Sequence, residues 1–225
     1  MSTQNSTLNA RYVYENASAV MNANGISTQN AVLTQSDLVL EQQLTTALTA
    51  YTFPVLSNDN GPSGSRFNTE IRLQQQDTFV ASSWGVFLCA PTSAVDATFI
   101  VHTYPDPVVF TGGAAAAAET IYNSYCKITV NNAVILPVWH LSRHRSVPQS
   151  QQVAGSAGVY PGIALDQIDL SSDGFYPVEP NILFVGSKGY QIVVTLPAAL
   201  AAVTTYERLR IHYRGVLGQN TTIIT

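Results

Sequence analysis

The stretch YERLRIHYRG (Tyr206–Gly215) puts Arg208, Arg210, His212 and Arg214 on one side and Leu209, Ile211 and Tyr213 on the other. Successive side chains of a strand point to opposite faces of a sheet, so this period of two reads as a half-buried strand. The fold turns on whether the rest of the chain supplies partner strands. The function turns on what the basic face meets: nucleic acid, an acidic neighbouring subunit, or water.

Partner strands are abundant from Phe67 onward. FNTEIRL (Phe67–Leu73), DTFVASSWGVFLCAP (Asp77–Pro91), ATFIVHTYPDPVVF (Ala97–Phe110) and YCKITV (Tyr125–Val130) alternate or run apolar. AVILPVWHL (Ala133–Leu141), NILFVG (Asn181–Gly186) and YQIVVTL (Tyr190–Leu196) follow. Asn131-Asn132 and Ser187-Lys188-Gly189 read as tight turns between strands. About eight strands joined by Gly, Pro and Asn turns are the pattern of an all-β protein, here an antiparallel β-sandwich over 67–225. Two insertions interrupt it. The alanine run in TGGAAAAAETIYNS (Thr111–Ser124) has room for one or two helical turns, and SRHRSVPQSQQVAGSAGVYPGIA (Ser142–Ala164) is a long loop of the kind that makes contacts.

Upstream of Phe67 the texture differs. Residues 1–35 are rich in Gln, Asn, Ser and Thr and read as an extended polar N-terminal arm. In SDLVLEQQLTTALTAYTF (Ser36–Phe53), Leu40, Leu44, Ala47, Leu48 and Tyr51 recur at helical spacing behind a capping Ser36. One short amphipathic helix over about 37–50 is expected, within a connecting segment 36–56. SNDNGPSGS (Ser57–Ser65) is a loop.

The 225 residues are 46% apolar, enough for a sizeable core, but only 11% are charged. Globular domains usually carry about a quarter charged residues, and interface centres are depleted of charge, so the deficit points to assembly. A net charge of −4 argues against a general nucleic-acid binder, and any basic patch is local. Only Lys127 and Lys188 are lysines; the eight other cations are arginines, suited to desolvated, bidentate pairing. Cys89 and Cys126 lie in apolar runs and read as buried thiols. No basic n-region with an apolar h-region opens the chain, and no run approaches the roughly eighteen apolar residues that span a bilayer. A cytosolic product without a membrane segment is expected, with the sequons at Asn5, Asn16 and Asn220 unused.

Chemistry-bearing patterns are weak. His140 and His144 have an H-x-x-x-H spacing, but Arg143 and Arg145 beside them disfavour a cation, and two partly exposed histidines are expected. His102, Asp106 and Ser82 or Ser83 can be drawn as a triad without any nucleophile elbow around the serine. Asp166, Asp169 and Asp173 lack the spacing of a calcium loop. No catalytic residue, metal or cofactor is assigned, and the chain reads as a non-enzyme.

IVHTYPDPVVF (Ile100–Phe110), DGFYPVEPNILFVGSKGYQIVVTLP (Asp173–Pro197) and YERLRIHYRGVLGQN (Tyr206–Asn220) together resemble structural proteins of bacteriophage virions built on a jelly-roll. The resemblance implies a jelly-roll capsid or capsid-associated subunit, assembled in the host cytoplasm as a trimer or larger homo-oligomer among other virion proteins. The basic row Arg208, Arg210, His212 and Arg214 is then expected to face outward, onto acidic groups of a neighbour such as Asp166–Asp173 or Glu179, or onto packaged genome. An exposed strand edge kept soluble by charge is the third reading of that row. Arg143, Arg145, Tyr160, Phe175 and Tyr176 are candidate loop contacts. The alternative function is a carbohydrate- or receptor-binding sandwich of a fibre or surface protein, with Tyr160, Phe175 and Tyr176 as its platform.

Overall fold

The computed structural model describes residues 3–59, 67–146 and 174–223, with side chains from Arg11 onward. Helix α1 (Thr3–Ala23) and a two-residue strand β1 (Ile26–Ser27) precede the long strands β2 (Val32–Gln43), β3 (Ala50–Phe53) and β4 (Thr78–Cys89). After a short β5 (Val101–His102) and helix α2 (Gly113–Tyr122) come β6 (Tyr125–Val130) and β7 (Ala133–His140). A single 3-10 turn (Leu141–His144) ends that hairpin, and β8 (Phe175–Val185), β9 (Tyr190–Thr195), β10 (Arg208–Gln219) and β11 (Thr222–Ile223) complete the chain.

Two antiparallel sheets carry the fold. One runs β2-β10-β4, with β8 beside most of β4 and β5 beside its end; the other runs β3-β9-β6-β7. β1 and β11 form a separate two-stranded ribbon. Among the described residues, eight strands build the two sheets apart from the short β5, and their pairing is nested. In chain order the first pairs with the eighth (β2 with β10), the second with the seventh (β3 with β9), the third with the sixth (β4 with β8) and the fourth with the fifth (β6 with β7).

The core between the sheets follows from the alternation. Leu209, Ile211 and Tyr213 of β10 are fully buried, as the period-two reading required. Trp84 of β4 lies flat on Tyr213, ring centroids 5.4 Å apart, and Phe184 closes edge-on at 5.2 Å from Tyr213. Tyr51, Phe53, Cys126, Ile128, Ile192 and Val194 come from the opposite sheet, and Ala118, Ile121 and Tyr122 of α2 close the same cluster. Each such large side chain contributes about 1.5–3 kcal/mol by burial. At the bulge after Arg214, Gly215 crosses so close to β4 that a Cβ there would stand 1.9 Å from the Val80 carbonyl oxygen. Only glycine fits that crossing.

Three expectations are corrected. Residues 37–43 are strand, not helix: β2 pairs with β10 along its whole length, burying Leu38 and Leu40. That ladder outweighs the helical spacing, whose later members Ala47 and Leu48 are exposed. The sandwich accordingly starts at Val32 rather than at residue 67. The arm is not extended, because it carries α1, and Ala17 and Met21 pack with Ile26 onto Val80, Val185 and Val216 of the β2-β10-β4-β8 sheet's outer face. FNTEIRL is not a full strand; it touches β2 through the Val39–Ile71 bridge and runs on to Leu73 beside Leu56. The alanine run does form a helix, α2, and Asn131-Asn132 does form a tight turn, both residues holding positive φ (46° and 69°).

Candidate interaction surfaces

The four basic residues of β10 share one face, but that face is roofed. Glu41 of β2 stands in register with Arg210. Arg210 donates from Nε to Glu41 Oε1 at 2.8 Å, and Arg208 Nη1 reaches Glu41 Oε2 at 3.1 Å. Thr69 adds its hydroxyl to Glu41 Oε1 at 2.7 Å, and Arg208 Nη2 donates to the Ala94 carbonyl at 2.7 Å. Arg208 is 1% exposed and Glu41 1%. The Phe67 ring lies 4.0 Å from the Arg208 guanidinium carbon and the Phe99 ring 5.0 Å from that of Arg210. Next to them, buried Glu70 and Arg72 pair at 2.8 Å, and Glu70 accepts the Glu41 backbone N–H. The expected outward row is corrected at its first two members: Arg208 and Arg210 share one carboxylate, Glu41 of their own chain. Buried charges persist only when paired and hydrogen-bonded, and this carboxylate serves two cations at once.

Further along β10, His212 Nε2 lies 3.0 Å from Asp37 Oδ1. Burial holds its pKa below the ordinary histidine value despite Asp37, and the nearby Arg214 and Arg210 push the same way. Arg214 stacks 3.6 Å over the Phe175 ring, and Phe175 packs against His212 and Phe87.

The loop contacts form a second cluster. Arg143 lies over Trp139 at 4.7 Å, and Arg145 faces Glu119 at 3.8 Å on the open surface. Tyr176 is exposed and meets His144 edge-on at 5.6 Å. Tyr160, Asp166, Asp169 and Asp173 lie outside the described residues. His144, expected to be partly exposed, is fully buried against Trp84. Its Nδ1–H donates to the Gly174 carbonyl at 2.8 Å while the Trp139 indole N–H donates to its Nε2 at 2.9 Å. Both ring nitrogens are engaged, the tautomer is fixed, and burial pulls the pKa to about 4. His144 therefore pins Gly174, immediately before β8, to the turn that follows β7.

The drawn triad does not assemble. The Ser82 hydroxyl donates to the Arg214 carbonyl, Asp106 accepts the Val108 N–H, and the His102 ring packs on Phe110. Among the described residues no three His, Cys, Asp or Glu side chains cluster as a metal site. Cys89 and Cys126 are buried and unbridged, and burial raises the Cys89 thiol to about 12.

The open surface lies on the other sheet. Its outward residues are Thr52 of β3, Gln191, Val193 and Thr195 of β9, and Tyr125, Lys127 and Thr129 of β6, with a single charge among them. At its edge stands β7, where Val134 (49%), Ile135 (46%) and Val138 (53%) are exposed. No charged residue occurs from Asn131 to Ser142. Periodicity marked this segment as a strand; its exposure was not legible, since an apolar strand is ordinarily taken as core. A second group of exposed apolar residues, Val95, Ile100 and Val108, lies in the segments around β5.

No family model matches the chain, and comparison with curated proteins and with solved structures finds no match.

Proposed function

We propose that this chain is a non-enzymatic structural subunit of a bacteriophage or virus particle, a jelly-roll that assembles with copies of itself as a capsid or capsid-associated protein. The nested strand pairing carries this reading. Pairing first with eighth, second with seventh, third with sixth and fourth with fifth, divided over two sheets, is what results when one long hairpin ribbon is wound round a core. The jelly-roll, the two-sheet form of that winding, recurs in viral capsid and lectin domains and in cupins. A fold alone does not fix a function, so the choice among these rests on the surfaces. The space between the sheets is filled by Trp84, Tyr213, Phe184 and Phe53. Arg208 and Arg210, expected to meet genome, are engaged by Glu41 within the chain, while one sheet and its edge present a nearly uncharged surface. Low charge at a surface favours burial against a partner of the same kind.

The test is the mass of the purified chain by light scattering after size exclusion, with negative-stain microscopy of the same fractions. A trimer, a larger ring or a shell is expected. A monomer at every concentration overturns the proposal, and glycan binding by that monomer would favour the lectin-like alternative.

A further inference from the structure

We propose that β7 is the contact strand between two copies of this chain, laid antiparallel about a two-fold axis near Leu136. The inference rests on the assembly reading and names its surface. Among the described residues, apart from the two-residue β5, four strands stand at sheet edges, and three are defended. β2 is partly covered by the chain's own Ile71, whose N–H and carbonyl bond Val39 at 2.9 and 2.8 Å. β3 is only four residues long, and β8 carries Pro177, Glu179 and Pro180. Short strands, charge, proline and coverage are the devices that keep edges single. β7 shares one of these devices, Pro137, but it is eight residues long and carries no formal charge, and apart from His140 its exposed residues are Val, Ile, Pro and Ala.

The occupant follows from the strand's own pattern. A two-fold interface sets residue i against j and j against i. With the axis at Leu136, Val134 faces Val138 of the other copy, Ile135 faces Pro137, and small Ala133 faces large Trp139. Asn132 then faces His140, so polar meets polar at each end. Because the strand has no charge, self-pairing sets no like charges together, whereas a partner of either sign would find no counter-charge. Pro137 lacks an N–H, and the β6–β7 register slips on both sides of Ile128, which breaks the regular ladder of free backbone groups. Side-chain burial, rather than an added ladder, therefore holds the two copies.

The experiment is sedimentation over a concentration series for the full chain, Val138→Lys and the control Val95→Lys, each first checked by thermal melt. Val138→Lys should raise the concentration needed for association by tenfold or more, and Val95→Lys should leave it unchanged. In a second readout the double variant Val134→Cys/Val138→Cys should form a disulfide-linked dimer under oxidation, because each of these exposed residues faces the other across the two copies; Cys89 and Cys126 are buried and do not compete. If the native chain assembles, yet Val138→Lys matches Val95→Lys and Val134→Cys/Val138→Cys stays uncrosslinked, β7 is not the contact, though the assembly reading survives. A native chain that never associates overturns both.

Discussion

Glu41 is the residue on which the basic face depends. Its carboxylate is fully buried, and it is the counter-charge of both Arg208 and Arg210. Removing one partner of a buried pair leaves an uncompensated charge, which costs about 3–5 kcal/mol. Glu41→Gln should lower the unfolding free energy by that amount in urea titration. Glu119→Gln, which loses only the exposed 3.8 Å contact with Arg145, should change it by less than about 0.5 kcal/mol. The alternation in YERLRIHYRG was enough to sort Leu209, Ile211 and Tyr213 from the arginines. It could not reveal that Arg208 is buried and Arg210 tied down beside it, because Glu41 stands 167 residues away from Arg208. Which strands neighbour each other is a property of the whole winding, and no local pattern encodes it.

The β7 hairpin and the turn after it carry the clearest pH dependence. His144 is neutral in the fold with a pKa of about 4, against an ordinary value near 6.5. Below about 6.5 the unfolded chain takes up a proton that the folded chain refuses until about pH 4. Stability is therefore complete above that window and lost as pH falls through it, by about 3 kcal/mol from this group. His212, also held low by burial, acts in the same direction. Urea titrations at pH 7, 6, 5 and 4 should show the fall, and His144→Gln should flatten it, so that the gap between variant and native chain narrows on acidification. An equal slope in both proteins would mean that the Trp139–His144–Gly174 latch is not the source. Elements were unevenly legible. β4, β6, β9 and β10 follow directly from apolar period and turn residues. The helix expected over 37–50 failed because Leu40, Leu44 and Leu48 satisfy a helical spacing by chance while β10 offers a twelve-residue strand as partner. α1 was hidden by its polar composition, since only a few side chains of its described part, chiefly Ala17 and Met21, reach the sheet.

At the scale of the whole molecule the two sheets are finished differently. One has its outer face covered by α1 and by the Phe67–Arg72 and Ser93–Phe99 segments; the other is covered by no described segment and ends in β7. This asymmetry fixes how association should respond to salt. Had the arginine row been an intersubunit contact, raising the ionic strength would weaken assembly, because exposed ion pairs are screened within about 3 Å at 1 M salt. With Arg208 and Arg210 already engaged by Glu41 within the chain, and β7 uncharged, the driving term is apolar burial, which strongly excluded salts strengthen. Sedimentation at about 0.05 M and about 1 M sodium chloride should therefore give the same association constant, and sodium sulfate should raise it. A loss of association at high sodium chloride would instead place charged groups such as Lys127 or Glu179 at the contact. That result would move the interface from the β7 edge to the sheet face or to β8, even if the strand order and the assembly it serves were unchanged.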